Sequence, residues 1–344
     1  MKTARIGILL VCFIAVAFCG EDPADGWYAE QRTLYGGIPV TVRFAPADTT
    51  LAAEAWALLA AIDDDFNDWR DDSHVGRINA GGPGSYELNP SLAEAFALSE
   101  RMHAASSGVF DITVGPLRRL WRGAEKARRW PEQAEIDAVR ARIGDGAYVR
   151  DGARLTVLKA GVQFDFGGVC KGMAVDRAVA LLRGAGRRAG LVQVGGETGC
   201  WGTAAAGRPY RIGIPDPDAP DDPDRLVARL QDPGQGLCGS TSGNYRNPIV
   251  VAGRTLYHVY DPRTGMPAPT RTLSSSVVFP GTGRNGEADC LAKTGELLPP
   301  DEFLALIAGR GGEAMLLLRG ADGASERRTT AGWDALTIRP QEAP

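Results

Sequence analysis

Histidine is scarce in this chain. His74, His103 and His258 are the only three among 344 residues, so a metal site built on several imidazoles is not expected. The six cysteines show no CxxC spacing, which argues against a zinc ribbon. Positive charge is not in excess: 38 Lys and Arg face 42 Asp and Glu, for a net charge of -4. No basic, aromatic-laced patch stands out either, so nucleic acid is not an expected partner. Beyond residue 18 no apolar run is long enough to span a bilayer. Internal repeats and a clear linker are both missing. The dinucleotide fingerprint GxGxxG is not supplied by Gly167, Gly168 and Gly172, and a Walker loop fails because Gly172, not Ser or Thr, follows Lys171.

What is present points to a soluble globular protein, 44% hydrophobic and 23% charged, whose 44 glycines imply many tight turns and short strands. The expectation is one α+β domain over residues 20–344, with mixed or antiparallel sheets and flanking helices. Residues 1–19 read differently. Lys2 and Arg5 precede an apolar run from Ile6 to Phe18, and Gly20, Glu21 and Asp22 then turn polar. That is an export signal, with Ala15-Val16-Ala17 as an acceptable cleavage site. Cys19 opens a second route, a lipid anchor, against which the bulk of Phe18 counts. Cys12 falls in the leader. Cys170, Cys200, Cys238 and Cys290 lie in the body, either as oxidised pairs or as buried free thiols.

The stretch from Val162 to Gly196 organises the rest. A short apolar-alternating run ends on Asp165, Gly167 and Gly168 make a bend, and Lys171-Gly172 opens an amphipathic helix with Ala174, Ala178, Leu181 and Leu182 on one face. Gly184 and Gly186 stop it, and Leu191 to Val194 is a second strand ending at Gly195-Gly196. Backbone amides at such a helix start attract anions, and glycine lets a phosphate come close. Spacing alone allows an ordinary strand–helix–strand unit equally well.

Around this element the pattern predicts a strand at Val40–Phe44 and helices at Thr50–Trp69 and Ser91–Ala105. Arg122–Arg142 reads as a charged, exposed helical insertion. Strands are expected near Ala147–Val149, Arg154–Leu158, Tyr210–Ile214, Leu237–Ser242, Pro248–Val251, His258–Tyr260, Leu273–Phe279, Ala314–Leu318 and Ala335–Ile338. Pro215–Asp224 is a loop, and helices are expected at Glu287–Leu298 and Asp301–Ala308.

Several motifs stand in order along the chain: FNDWRDDSHVGRIN from Phe66, SGVFDITVGPLRRLW from Ser107, DFGGVCKGMAVDRA from Asp165 running on to VQVGGE, STSGNYRN from Ser240, YHVYDPRTGMP from Tyr257 and EADCLAKTGELLP from Glu287. As an ordered set over roughly residues 33–320 they closely resemble the FAD:protein FMN transferase family, ApbE. The resemblance implies a T-fold-like ApbE architecture and a Mg²⁺-dependent reaction. In it FAD is cleaved at its pyrophosphate, AMP leaves, and FMN is esterified to a Thr or Ser hydroxyl of an acceptor protein. Such a displacement needs a cation on the pyrophosphate and a base for the hydroxyl proton. With the leader, the resemblance places the protein in the bacterial envelope, periplasmic or held at the inner membrane through Cys19.

The resemblance also assigns residues. Asp165 and Lys171 match the family positions that contact the flavin dinucleotide, and Gly168 matches the one whose carbonyl serves Mg²⁺. Asp289 matches the metal carboxylate, and His258 the histidine at the reacting phosphate, here taken as base or proton shuttle. Trp69, Phe110, Asp111, Thr113, Val259 and Tyr35-Gly36-Gly37 fall where the family lines the cofactor. Read singly, Trp69, Phe110 and Val259 are equally core residues, and Asp111 is equally a cap. Departures are visible too. Lys293 stands where the family often has a metal-binding Thr; it cannot ligate a cation, and Thr294 comes one residue late. Glu197 replaces an Asp after Gly195-Gly196, and Cys170 replaces an Ala. Two alternatives stay open: an FAD pyrophosphatase with water as acceptor, and a non-catalytic flavin-binding protein.

Overall fold

The computed structural model describes residues 26–338 apart from 221, 223, 246, 247 and 270. The export signal expected over residues 1–19, with Cys19, lies outside the described residues. Strands β1 (Tyr28–Leu34) and β2 (Ile38–Ala45) pair antiparallel around the turn Tyr35-Gly36-Gly37. Val40, Val42 and Phe44 point to one side of β2 and are fully buried, as the two-residue side-chain period of a strand requires. β1 has no such alternation. It is an edge strand of sequence YAEQRTL, and Glu and Arg on an edge discourage further pairing.

Between β2 and the next strand of the main sheet come α1 (Thr49–Phe66), α2 (His74–Gly81), β3 (Gly84–Glu87), α3 (Pro90–Ala105), α4 (Gly115–Ala127), α5 (Gln133–Arg140), β4 (Tyr148–Asp151), β5 (Arg154–Val157) and α6 (Cys170–Gly184). Then follow β6 (Ala189–Val194), β7 (Glu197–Trp201), β8 (Arg211–Pro215), β9 (Leu226–Gln231), β10 (Leu237–Gly243), β11 (Ile249–Val251), β12 (Arg254–Leu256) and β13 (Thr272–Pro280). The described chain closes with α7 (Asn285–Thr294), α8 (Pro300–Gly309), β14 (Glu313–Arg319) and β15 (Ser325–Thr329).

The main sheet has eight strands in the order β1-β2-β6-β7-β10-β13-β14-β15, and each pairing in it is antiparallel. That order is simply chain order, a meander from which loops and helices depart and return. Both faces of its middle strands are buried. Val192, Val277 and Leu316 join the helix-covered core with α1, α3, α6, α7 and α8. Their neighbours Leu191, Val278 and Met315 join a second core under the β8–β9 hairpin and Trp333. Strands buried on two faces read as continuous apolar runs such as VVF and MLLL, which is why pattern reading finds them.

Four expectations need correction. Val162–Asp165 is not a strand: the amide of Asn79 clamps the Phe164 peptide from both sides, at 2.7 and 2.9 Å, and Asp165 N–H donates to Ile112 O. Its polar groups are satisfied without a partner strand. His258–Tyr260 makes only one bridge, Tyr260 with Pro267, because Asp261 folds the chain back at once through Gly265. Residues 333–336 form a 3₁₀ turn rather than a strand. The charged segment 122–142 is not a loose insertion either. α4 and α5 build a third core with Leu117, Trp121, Ile136 and Ile249, where the Trp121 indole N–H donates to Gly265 O at 2.9 Å. Charges occupy only its outer face, and Trp121→Ala is expected to cost about 3–5 kcal/mol in a urea-unfolding experiment. Small differences of extent also occur: α1 ends at Phe66, not Trp69, and α7 spans Asn285–Thr294 rather than Glu287–Leu298.

Candidate functional site

Helices α6 and α7 cross so closely that only glycine fits between them. A Cβ built on Gly172 would stand 2.2 Å from Asn285 O and 2.7 Å from Gly286 Cα. The crossing is tied further by Asp176, whose carboxylate accepts the backbone N–H groups of Asn285 and Gly286 and so caps α7. Gly172→Ala must push the helices apart, and a loss of about 1–3 kcal/mol is expected on denaturant unfolding. The glycine that looks like part of a phosphate loop is therefore a helix–helix contact.

This crossing brings Lys171 to Asp289, 118 residues away in sequence. Lys171 Nζ lies 3.4 Å from Asp289 Oδ2, 3.7 Å from Glu197 Oε1 and 2.6 Å from Gly167 O. Asp289 is fully buried; its Oδ2 also accepts the Gly172 N–H at 3.1 Å, and Lys293 Nζ stands 3.3 Å from its Oδ1. Burial alone would lower the proton affinity of Lys171. The carboxylates of Asp289 and Glu197 outweigh that, so the ammonium stays charged. Glu197 shows the opposite balance. Burial, with the charge of Asp289, pushes its carboxyl up to about 7 against the pull of Lys171 and Lys293, and its Oε2 has no hydrogen-bond partner among the described residues.

A second network forms the other wall. Arg118 from α4 pairs with Asp68 and, at 3.3 Å, with Asp165 Oδ2, and its guanidinium lies 4.5 Å from the ring centre of Trp69. Asp165 Oδ1 accepts the Gly167 N–H at 2.9 Å and so shapes the bend before α6. Burial and the neighbouring Asp165 push Asp68 up to about 6. Trp69 is 75% exposed, an aromatic face held open to solvent.

These parts line one cleft of about 820 Å³ that also takes in Tyr35, Phe110, Asp111, Gly168, His258, Val259, Lys293 and Thr294, a size suited to a dinucleotide. Tyr35 is fixed by its hydroxyl on Leu59 O and its N–H on Asp63. His258 is half-buried in the cleft wall, with Nδ1 sealed and without a partner among the described residues. Burial, then the charges of Lys293, Arg122 and Lys171, push its pKa down to about 4, so the ring is neutral. Thr113 does not reach the cleft: buried, it caps with Asp111 Oδ1 and accepts from the Gly144 N–H. Asp111 lines the cleft but spends that same oxygen on the cap. The body cysteines are all buried free thiols, so the oxidised pairs do not form, and burial pushes Cys170 up to about 12.

Whether a divalent cation fits is decided at α7. The helix is regular, so Lys293 sits one turn above Asp289, and Thr294 turns away to donate its hydroxyl to Leu291 O at 2.7 Å. Among the described residues no three His, Cys, Asp or Glu gather as a metal site. Asp289 meets two ammonium groups and an N–H instead.

Sequence reasoning missed Asp68, Arg118, Arg122, Asn79 and Asp176. All five stand inside or beside the ordered motifs, which was the available signal; nothing in local spacing shows what they touch.

A family model described as the ApbE family matches residues 37–317. The chain is 29% identical over 288 residues to the FAD:protein FMN transferase of Vibrio cholerae serotype O1, covering 79% of this chain and 81% of that one. It is 33% identical over 245 residues to a protein of the same name from Klebsiella pneumoniae, 67% of each chain. The apo crystal structure of the Pseudomonas stutzeri flavinyl transferase ApbE superposes with a TM-score of 0.77 at 30% identity, over 90% of this chain and 96% of that one.

Proposed function

The chain belongs to the ApbE family, and from that premise we propose that it transfers FMN from FAD to a Thr or Ser hydroxyl of an acceptor protein. The observation that carries the reading is the single cleft in which Asp165 and Lys171, from the bend before α6, meet His258 from a distant segment. The acceptor oxygen forms a bond to the FMN-side phosphorus. The bond from that phosphorus to the bridging oxygen breaks, and its electron pair leaves with AMP. His258 takes the hydroxyl proton, and Lys171 offsets charge on the diphosphate. Trp69, Phe110 and Tyr35 give the flavin an aromatic wall, while Arg118, locked by Asp68 and Asp165, holds Trp69 in place.

The resemblance also implies magnesium. Asp289 is already held by Lys171, Lys293 and the Gly172 N–H, and the Thr294 hydroxyl that would complete the set with the main-chain oxygen at Gly168 faces elsewhere. The residues do not fit a divalent ion as they stand. We also propose an envelope location, supported by the leader pattern of residues 1–19. The acceptor is then an exported or membrane-bound redox subunit.

The test is incubation of the purified protein with FAD and an acceptor carrying a flavinylation Thr. A fluorescent acceptor band with one AMP released per flavin attached is the expected result. Sustained AMP release without acceptor would make the protein a pyrophosphatase, and tight FAD binding with no AMP would make it a carrier.

A further inference from the structure

We propose that Lys293 supplies, as a fixed ammonium beside Asp289, the cationic charge for which a metal would otherwise be needed. The diphosphate is then met by two lysines, Lys171 and Lys293. This rests on the flavin-transfer reading above and concerns the same cleft.

Three observations converge. Lys293 occupies the helical position directly over Asp289, with Nζ at 3.3 Å from Oδ1, and its side chain is 19% exposed, so it reaches both the carboxylate and the cleft. The opposite wall is cut to receive it. A Cβ on Gly168 would lie 3.3 Å from Lys293 Cγ and 3.2 Å from Phe110 Cε2, so the glycine opens the space that the lysine stem fills. Finally, both oxygens of Asp289 are already taken by positive or N–H groups, Lys171 and the Gly172 N–H on one and Lys293 on the other. A divalent ion at Oδ1 would have to expel Lys293 and then sit against its charge.

The ammonium pair needs no further reactant. As the phosphorus–oxygen bond to the acceptor forms and the bond to the AMP-side bridging oxygen breaks, negative charge grows on the diphosphate oxygens. Two N–H donors on fixed stems meet it. The hydroxyl proton leaves by His258 as before, and AMP carries away the bonding pair.

The experiment compares the chelator-treated wild type with Lys293→Thr, by AMP release from FAD plus acceptor in EDTA or millimolar Mg²⁺, and by Mn²⁺ titration followed by electron paramagnetic resonance. The wild type is expected to keep its rate in EDTA within about threefold of that in Mg²⁺. Lys293→Thr is expected to lose about 100-fold in EDTA, to regain rate with Mg²⁺, and to bind Mn²⁺ where the wild type does not. A wild type that falls about 100-fold in EDTA and recovers with Mg²⁺, or that holds Mn²⁺ as tightly as the variant, overturns the proposal. Should no condition give AMP, the flavin-transfer reading fails by itself. Mn²⁺ binding then still decides: an ion held only by Lys293→Thr supports the ammonium's role, and one held by the wild type, or by neither protein, removes it.

Discussion

Lys171→Met is expected to lower flavin transfer by about 10³-fold, with most of the loss in kcat rather than KM. The side chain leaves Gly168 and the cleft wall intact while deleting the ammonium nearest the predicted diphosphate. Lys171 is held on three oxygens, Gly167 O, Asp289 Oδ2 and Glu197 Oε1, so its position is set before substrate arrives. Preorganised charge of this kind stabilises the transition state without reorganisation when charge develops. The variant carries a structural risk, because Asp289 is fully buried and loses one of its two cations. Thermal melting must therefore accompany the kinetics. A variant that melts normally and keeps more than about a tenth of the wild-type rate would show that Lys171 only neutralises Asp289. Lys171→Arg should recover little, since a planar fork cannot reproduce three contacts that converge on one nitrogen.

How much of this was readable beforehand depends on the kind of contact. Strand β14 and the second half of β13 were legible because burial on both faces leaves apolar runs, MLLL and VVF. The outer strands β1 and β15 were not, since their exposed edge positions carry Glu, Gln, Arg and Ser without alternation. β7 escaped for another reason: its GETGCW neighbourhood is buried, yet its small and polar residues lack a β-branched pattern. Within the site, Asp165, Lys171, His258 and Asp289 were named through ordered motifs, and the fold brings all but the recessed Asp289 to the cleft wall. The connections among them were invisible. Asn79 clamping Phe164, Asp176 capping α7 and Arg118 bridging Asp68 and Asp165 are side-chain contacts between segments 47 to 109 residues apart. One-dimensional periodicity carries no record of such pairs. Thr113 shows the converse error: its place in a motif suggested the flavin, and the structure gives it a capping task beneath the surface.

His258→Gln is expected to lower kcat by about 10²–10⁴-fold, the range of a lost general base. The pH dependence tells more than the size. In the free protein, burial and the charges of Lys293, Arg122 and Lys171 push the ring down to about 4. An imidazole with so low an affinity for protons is neutral, and able to accept one, at any pH above about 5. Activity per encounter, kcat/KM, should thus stay level through the region near 6.5 where an ordinary histidine titrates, and fall only as pH approaches 4. Folding follows the same sign. The unfolded chain takes up the proton near 6.5 and the folded one only near 4, so this group's contribution is present above 6.5 and is lost as pH falls toward 4. Substrate changes the balance. A diphosphate among Lys171, Lys293 and Arg122 cancels the cations that suppress the ring, which raises its proton affinity at the moment a hydroxyl proton must be received. The acid limb of kcat should accordingly lie at higher pH than that of kcat/KM, and both limbs should vanish in His258→Gln. Coincident limbs, or limbs that survive in the variant, would assign the proton to another group of the cleft, such as Glu197, pushed up to about 7 beside Lys171.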